Sequence, residues 1–354
     1  MQQATHAEDV RAGGISGRRG QRFSRRKSVD RSDELHAQHV RDTLAADGAA
    51  RSVIAASWHR SQVLHKLDPA SPRPPVWRLT EQEIALARQP LEPLIVCATS
   101  AMDRLHAAVG GVGCCVLLAD RNGVPLERRG AAADDATFSA WGLWVGTPWS
   151  EGKEGTNGIG TAIVEQRPVT IHRDQHFFSR NALLSCTSSP IHDADGQLAA
   201  VIDVSSCRAD LTEGFLTLIA QSVTDAARRI ECDLFRRAFP ASRIILAPSP
   251  EGRADALVAV DGHELIVGAT RAARQLLGLT AADINGHTPI GDLIAREHEA
   301  DDLAAGERAV VQRALARARG NVSHAAELLG ISRATLHRKL NKLRLTGNST
   351  GAGI

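Results

Sequence analysis

Arg333, Thr335, His337, Arg338, Lys339 and Lys342 crowd into one short stretch near the end of a 354-residue chain. Guanidinium and hydroxyl groups at the start of a helix suit base edges in a DNA major groove, and cations along its flank suit phosphates. Arg333 and Thr335 are therefore the candidates for base-edge contact, and Arg338, Lys339 and Lys342 for phosphate. His337 lies on the same face. Asn321 and Ser323, at the start of the preceding segment, would add phosphate contacts from side chains and helix N–H groups. From Glu307 to Arg344 there are nine basic residues and two acidic ones, an excess of seven positive charges, against +2 for the whole chain. Positive charge is thus concentrated where a duplex would lie. A solvated basic hairpin of helices, or a helical pair used for dimerisation, is the plainer account of the same residues.

These side chains act together only on rigid elements. Asn321 and Ser332 each stand where a helix needs an acceptor for its orphan N–H groups. Gly330 stands where the first helix must end in a left-handed conformation. Leu336, Leu340 and Leu343 recur at helical spacing and are expected to pack on Ala325, Leu328 and Leu329. A helix-turn-helix follows, with Ser332 as the cap of its second helix. One helix earlier, Val310, Ala314 and Ala318, with Val311 and Leu315 beside them, form an apolar stripe that reads as a dimer seam or as packing within the unit.

The chain is 43% hydrophobic, enough for real cores. No apolar run approaches the roughly 20 residues that span a bilayer, and no signal peptide opens the chain, so a cytoplasmic protein is expected. Cys97, Cys114, Cys115, Cys186, Cys207 and Cys232 form no Cys-x-x-Cys pair. Reduced, mostly buried thiols are the expectation.

Composition and period divide the chain. Residues 1–32, crowded with arginine, glycine and serine, read as a basic disordered tail. Residues 33–79 read as a helical segment, with helix over 33–71, and a linker stiffened by Pro72, Pro74 and Pro75. Residues 80–237 read as an α+β domain. Its first helix is capped by Thr80, with Glu83 completing a capping box, and is interrupted near Pro90 and Pro93. Strands are predicted at 114–119, 124–129, 169–172, 184–192 and 198–205, with a hairpin turn at 193–196 and a closing helix over 211–237. Residues 243–292 read as a small α/β unit. Strands over 256–260 and 264–267 flank Asp261-Gly262, and a helix runs from a Thr270 cap to Gly278. Residues 300–346 hold the all-α helix-turn-helix unit.

The most specific string in the larger domain runs from Trp149 through Ser150-Glu151-Gly152-Lys153-Glu154-Gly155-Thr156-Asn157-Gly158-Ile159-Gly160-Thr161 to Ala162. Gly155 and Asn157 suit a turn into a helix, and the small residues after it let that helix approach a sheet closely. The glycine spacing invites a phosphate-loop reading, but Lys153 precedes the glycines instead of following them. His172 and His176 have a spacing that permits a metal, with loop hydrogen bonding the plainer reading. No zinc-protease motif or nucleophile elbow is present, so no catalytic residue, metal or cofactor is assigned. Trp141, Trp144, Trp149, Phe177 and Phe178 are expected to gather around a compact pocket for a short alcohol, ketone or aromatic. Core packing explains the same aromatics.

The C-terminal segment closely resembles the DNA-binding domain of the Fis family, at Asn321, Ser332, Arg333, Thr335, Leu336 and Lys339. Ser57-Trp58-His59-Arg60-Ser61, the Trp149–Ala162 string, His176-Phe177, Leu184-Ser185-Cys186 through Pro190-Ile191-His192-Asp193, and Ile202-Asp203-Val204-Ser205 resemble the GAF sensory half of acetoin/glycerol catabolism regulators. That resemblance implies a GAF-like fold for residues 80–237 and makes Asn157, Thr161 and Cys186 candidate polar groups of the pocket. Residues 256–292 are similar to the opening of a PAS domain, truncated to a spacer.

Relatives that activate the RpoN-type sigma factor carry an ATPase domain between sensor and helix-turn-helix. Here no phosphate-loop motif intervenes, nor any counterpart of the Gly-Ala-Phe-Thr-Gly-Ala loop that engages that factor. The resemblance implies a bacterial one-component transcription regulator, with no enzymatic activity and no ATP-driven step. It would bind a small effector and palindromic double-stranded DNA as a homodimer. The alternative is a ligand-binding accessory protein that pairs with full-length ATPase regulators instead of acting on DNA alone.

Overall fold

The computed structural model describes residues 17–45, 52–208, 211–247, 254–262, 264–285, 288–291, 303–318 and 320–343. They divide into two compact units: residues 1–191 with 198–230, and residues 192–197 with 231–354.

The first unit opens with α1 (Gly17–Ala45) and α2 (Val53–His59), which Ser52 caps by accepting from the Ala55 N–H. A wide helical turn over Arg60–Leu64 continues α2, and an extended proline-bearing stretch follows. Two expectations change here. Helix begins at Gly17, inside the stretch read as disordered; Arg, Lys and Gln are good helix formers, and charge density alone does not prevent a helix. Helix over 33–71 gives way to α1, α2 and the wide turn, with residues 46–51 outside the described set. Residues 1–16 also lie outside it.

Thr80 caps α3 (Glu81–Arg88) with the reciprocal Glu83 bond. Pro90 and Pro93 set a tight turn between α3 and α4 (Glu92–Val109). A five-stranded sheet follows: β1 (Cys114–Asp120), β2 (Pro125–Arg129), β3 (Val169–His172), β4 (Ser185–His192) and β5 (Leu198–Ser206), in the order β2-β1-β5-β4-β3. β1 pairs antiparallel with β2 and β5, and β3 with β4. Between β2 and β3 lie α5 (Asp135–Trp141), α6 (Glu151–Glu154) and α7 (Gly158–Glu165).

β1 is buried at every position, so both its faces are covered. Cys115, Leu117 and Ala119 face a cluster with Phe138, Leu143, Trp149, Ile159 and Cys186. The alternate residues Cys114, Val116 and Leu118 point the other way and are equally buried. α4 packs on β1 and β2, and α7 on β3 and β5. α8 (Glu213–Ala238) follows β5 and carries the chain from the first unit into the second.

The second unit contains an antiparallel sheet of β6 (Arg243–Leu246), β7 (Leu257–Val260) and β8 (Ile266–Ala269). β6 has no counterpart in the sequence reading. α9 (Arg271–Leu277), capped by Thr270, and α10 (Ala281–Asn285) accompany the sheet. Three helices end the described chain: α11 (Leu303–Arg317), α12 (Val322–Leu328) and α13 (Arg333–Lys342). Among the described residues, no helix is long and apolar enough to cross a membrane.

Candidate functional site

α12 and α13 are short, so their ends decide whether they form at all. Asn321 accepts from the Ser323 and His324 N–H groups at 3.0 and 3.2 Å, and Ser332 accepts from Thr335 at 3.1 Å. Each cap contributes on the order of 1 kcal/mol. Gly330 adopts φ 63° between the two helices, a conformation that strains a residue carrying a Cβ. Beneath the turn, Val311, Ala314, Ala318, Ala325, Ala326, Leu336, Leu340 and Leu343 form one buried cluster. Leu329 packs at its edge, whereas Leu328 is 50% exposed, against expectation. The stripe read as a dimer seam is largely spent in this cluster: Val311, Ala314 and Ala318 are buried within the unit and Val310 remains exposed.

With Leu336 and Leu340 facing inward, the rest of α13 is displayed. Arg333, His337, Arg338 and Lys342 are exposed. Thr335 is half-buried, its hydroxyl 2.8 Å from the Ser332 hydroxyl, so it is partly committed to the cap. The Lys339 ammonium pairs with Glu307 on α11, and that bond holds the Glu307 carboxyl below its ordinary range. Of the cations assigned to phosphate, Arg338 and Lys342 carry no such partner among the described residues, and Lys339 must exchange one. Ser323 is exposed beside the Asn321 cap.

In the first unit, the expected aromatic pocket separates into two clusters. Trp149 is buried with Phe138 and Leu143, and Trp141 and Trp144 pack at the edge of that group. Phe177 and Phe178 instead pack with Val40 and Trp58 from the N-terminal helices. The reason is chain order: the phenylalanines lie in the loop between β3 and β4, beside the turn at Ser179–Asn181 that packs on α1. Of the eight ligand candidates, Trp141 and Trp149 line a surface cleft that holds about 290 Å³.

The polar candidates serve the scaffold. Asn157 caps α7, accepting from Gly160 at 2.8 Å. Thr161 lies 3.2 Å from the Ser57 hydroxyl. Ser57 also donates to Glu151 at 2.5 Å, and Arg60 grips Glu151 through two bonds of 2.9 Å and Glu165 through a third. Glu151 is 3% exposed, and its hydrogen bond raises the Arg60 guanidinium above its usual value despite burial. Two strings far apart in the sequence thus meet in one buried network. His172 lies 2.7 Å from the Ser185 hydroxyl and His176 2.9 Å from the Arg173 carbonyl.

Cys186 is buried with its sulfur 3.1 Å from the Ser205 hydroxyl, which donates its proton to Asp203 at 2.6 Å; Ser188 donates to Asp203 at 2.5 Å. α7 presses on this group. A Cβ on Gly158 would stand 2.5 Å from the Ser188 hydroxyl and 2.9 Å from the Asp203 carboxylate, so only glycine fits. Burial pushes the Asp203 carboxyl up to about 6, with both serines opposing, and pushes His176 down to about 4. Their pH effects oppose each other. Between about pH 4 and 6 the folded chain holds a proton on Asp203 that the unfolded chain has lost, so stability falls as pH rises. The window carries about 3 kcal/mol. Neutral His176 loses stability as pH drops from its ordinary value near 6.5 toward 4. Asp203→Asn is therefore expected to steepen the rise of the thermal midpoint from pH 4 to 6. Parallel profiles for the variant and the parent protein would contradict the raised carboxyl.

A capped basic helix displayed over a three-helix core, and a five-stranded antiparallel sheet flanked by helices, define a multidomain α+β protein of sensor-and-reader layout. Residues 93–230 match the GAF domain family, and residues 303–343 match the Fis family of bacterial regulatory proteins. The chain therefore joins a GAF domain to a C-terminal Fis-type helix-turn-helix. It is 31% identical over 251 residues to the acetoin catabolism regulatory protein of Cupriavidus necator, covering 68% of this chain and 36% of that protein. It is 29% identical over 202 residues to the acetoin dehydrogenase operon transcriptional activator AcoR of Bacillus subtilis, covering 57% and 33%. The chain spans about a third of the length of these curated relatives. Among solved structures, the E. coli DhaR(N)–DhaL complex aligns with a TM-score of 0.49 and 19% identity, over 65% of this chain and 78% of that one.

Glu151, Arg60 and Asp203 were not singled out individually by the sequence reading, although strings containing them were. An acid inside a run of small residues was the available signal: a carboxylate there must find donors or neutralise.

Proposed function

We propose that this chain is a one-component transcription regulator, located in the cytoplasm. Its GAF domain takes a small effector, of the class of short alcohols, ketones or aromatics. Its helix-turn-helix binds double-stranded DNA sequence-specifically. Arg333 and Thr335 read base edges, and Asn321, Ser323, Ser332, His337, Arg338, Lys339 and Lys342 fix the duplex backbone and register. The observation that carries the reading is α13 itself: a helix capped at its N-terminus, anchored by Leu336 and Leu340, with Arg333, His337, Arg338 and Lys342 exposed. A homodimer would place two such helices on half-sites about 34–36 Å apart or a multiple of it. Effector occupancy then acts through occupancy or contact at the promoter, without an ATP-driven step; the chemistry of residues 231–302, which hold a small sheet and no phosphate-loop motif, supports this.

The test is a gel shift with the purified protein and DNA upstream of its own and neighbouring genes. A discrete complex is expected, with affinity that falls steeply with salt. A chain that acts only by pairing with full-length ATPase regulators gives no shift alone and gains one when such a regulator is added. Absence of any specific complex with the protein alone sinks the regulator reading.

A further inference from the structure

The cleft on the first unit lies between the proline-bearing stretch and the loop joining α5 to α6, and at about 290 Å³ it sits at the lower end of small-molecule sites. One ring and one polar group fill such a space. Its walls are apolar: the indoles of Trp141 and Trp149, and Trp77, which is 57% exposed. Three features set the charge of what enters. Thr147 lines the cleft with a hydroxyl that is buried and has no hydrogen-bond partner, in a residue only 9% exposed. An orphan hydroxyl is costly unless something reaches it. Lys153 brings an exposed ammonium 4.4 Å from the Trp77 ring centre, and Arg73 brings a guanidinium 4.5 Å from that of Trp141. Glu154 supplies the single acid, and Arg180 and Asn181 already donate to it.

An aromatic-lined cleft can hold a cation or an anion, and here the choice is decided. Cations of the protein already lie over the Trp77 and Trp141 rings, so a cationic ligand would meet like charge in place of a bare π face. Glu154 is compensated, which leaves the two cations in excess.

We propose that this cleft is the effector site and that it takes a small monoanion with a flat apolar body, an aromatic carboxylate. The ring lies among the indoles, the carboxylate pairs with Lys153 in the positive field of Arg73, whose guanidinium donates to the Trp141 and Arg180 carbonyls and the Asn181 side chain, and the Thr147 hydroxyl donates to it. This rests on the reading of the chain as an effector-dependent regulator and narrows the effector class within it.

Three probes of one ring size separate the possibilities: benzoate, benzyl alcohol and phenyltrimethylammonium, titrated calorimetrically into the full chain. Benzoate is expected to bind at least about tenfold more tightly than either of the others. Lys153→Gln and Thr147→Val each narrow the gap between benzoate and benzyl alcohol, and Trp77→Ala weakens both. Lys153 and Trp77 are exposed, so their replacement leaves the fold intact; far-ultraviolet circular dichroism and the thermal midpoint check this. Equal binding of the alcohol, tighter binding of the ammonium compound, benzoate affinity indifferent to Lys153→Gln, or no binding of any probe overturns the proposal. A gel shift run in parallel keeps the two readings apart. An operator complex without benzoate binding removes the site and leaves the regulator; benzoate binding without an operator complex does the reverse.

Discussion

Replacing Arg60 by methionine is expected to destabilise the first unit by about 3 kcal/mol, the low end of what breaking a buried ion pair costs, because a quarter of the arginine side chain is exposed. The substitution leaves Glu151 with the Ser57 hydroxyl as its remaining donor, in a residue 3% exposed. Glu151→Gln is milder, since Arg60 retains Glu165 at 2.9 Å and a glutamine carbonyl still accepts from Ser57. Arg60→Met combined with Glu151→Met recovers much of the loss, as both charges are then removed together. All five tryptophans precede residue 150, so indole fluorescence in a denaturant titration follows this unit alone. A loss under about 1 kcal/mol for Arg60→Met means that the network is decoration and α2 is held by Trp58 instead. The wider meaning concerns the N-terminal helices. They are joined to the GAF domain by a buried charge, and they move away from it only if that charge finds another partner.

The second large effect is expected on DNA. Arg333→Ala should weaken operator binding by about 1–3 kcal/mol and flatten the preference for the base it reads. Arg338→Ala should weaken operator and random DNA alike and lower the slope of log affinity against log salt by about one. Combined, they abolish operator binding at moderate salt. Both side chains are exposed, so the fold tolerates either change within about 0.5 kcal/mol. Fluorescence anisotropy over a range of salt measures all of this. Unchanged affinity for both single variants ends the case for α13 as the recognition helix. Lys339→Ala makes a useful contrast: its ammonium is shared with Glu307, so its loss should register less than that of Arg338.

Helix ends were the most legible feature of the sequence. Asn321, Ser332, Thr80 and Thr270 were read as caps because a short polar side chain before an apolar period has one main structural use, and each accepts the expected N–H group. The long strands were also legible: β1 and most of β5 are apolar runs bounded by turn residues, and the polar β4 is marked by the hairpin turn at 193–196 that joins it to β5. Short β6 was not: Arg243–Leu246 has two half-buried and two exposed residues, too little pattern to separate from a loop. What lay between distant segments was hidden altogether. No spacing rule connects Ser57 and Arg60 to Glu151, or Ser188 to Asp203, because those contacts are made by the fold. The aromatic residues misled for the same reason. Trp149 and Phe177 flank the same glycine-rich string, but they pack into different clusters. Arg73 and Trp77 went unassigned as cleft-lining residues because a proline-rich stretch reads as spacer until something is seen to lie against it.

The thiols give the molecule an internal clock. Cys115 and Cys186 are buried in the same cluster on one face of the sheet, and burial pushes both thiols well above their usual value, as it pushes Cys207 to about 12 and Cys232 to about 11. A buried, protonated thiol meets an alkylating reagent only when the structure around it opens. The pace at which iodoacetamide consumes Cys115 and Cys186 is therefore a record of how often the core breathes, read by mass spectrometry without any added label. No cysteine lies beyond residue 232, so the DNA-reading helices are silent in that record. A small molecule that slows the clock has tightened the sensor, whatever it does at the other end of the chain.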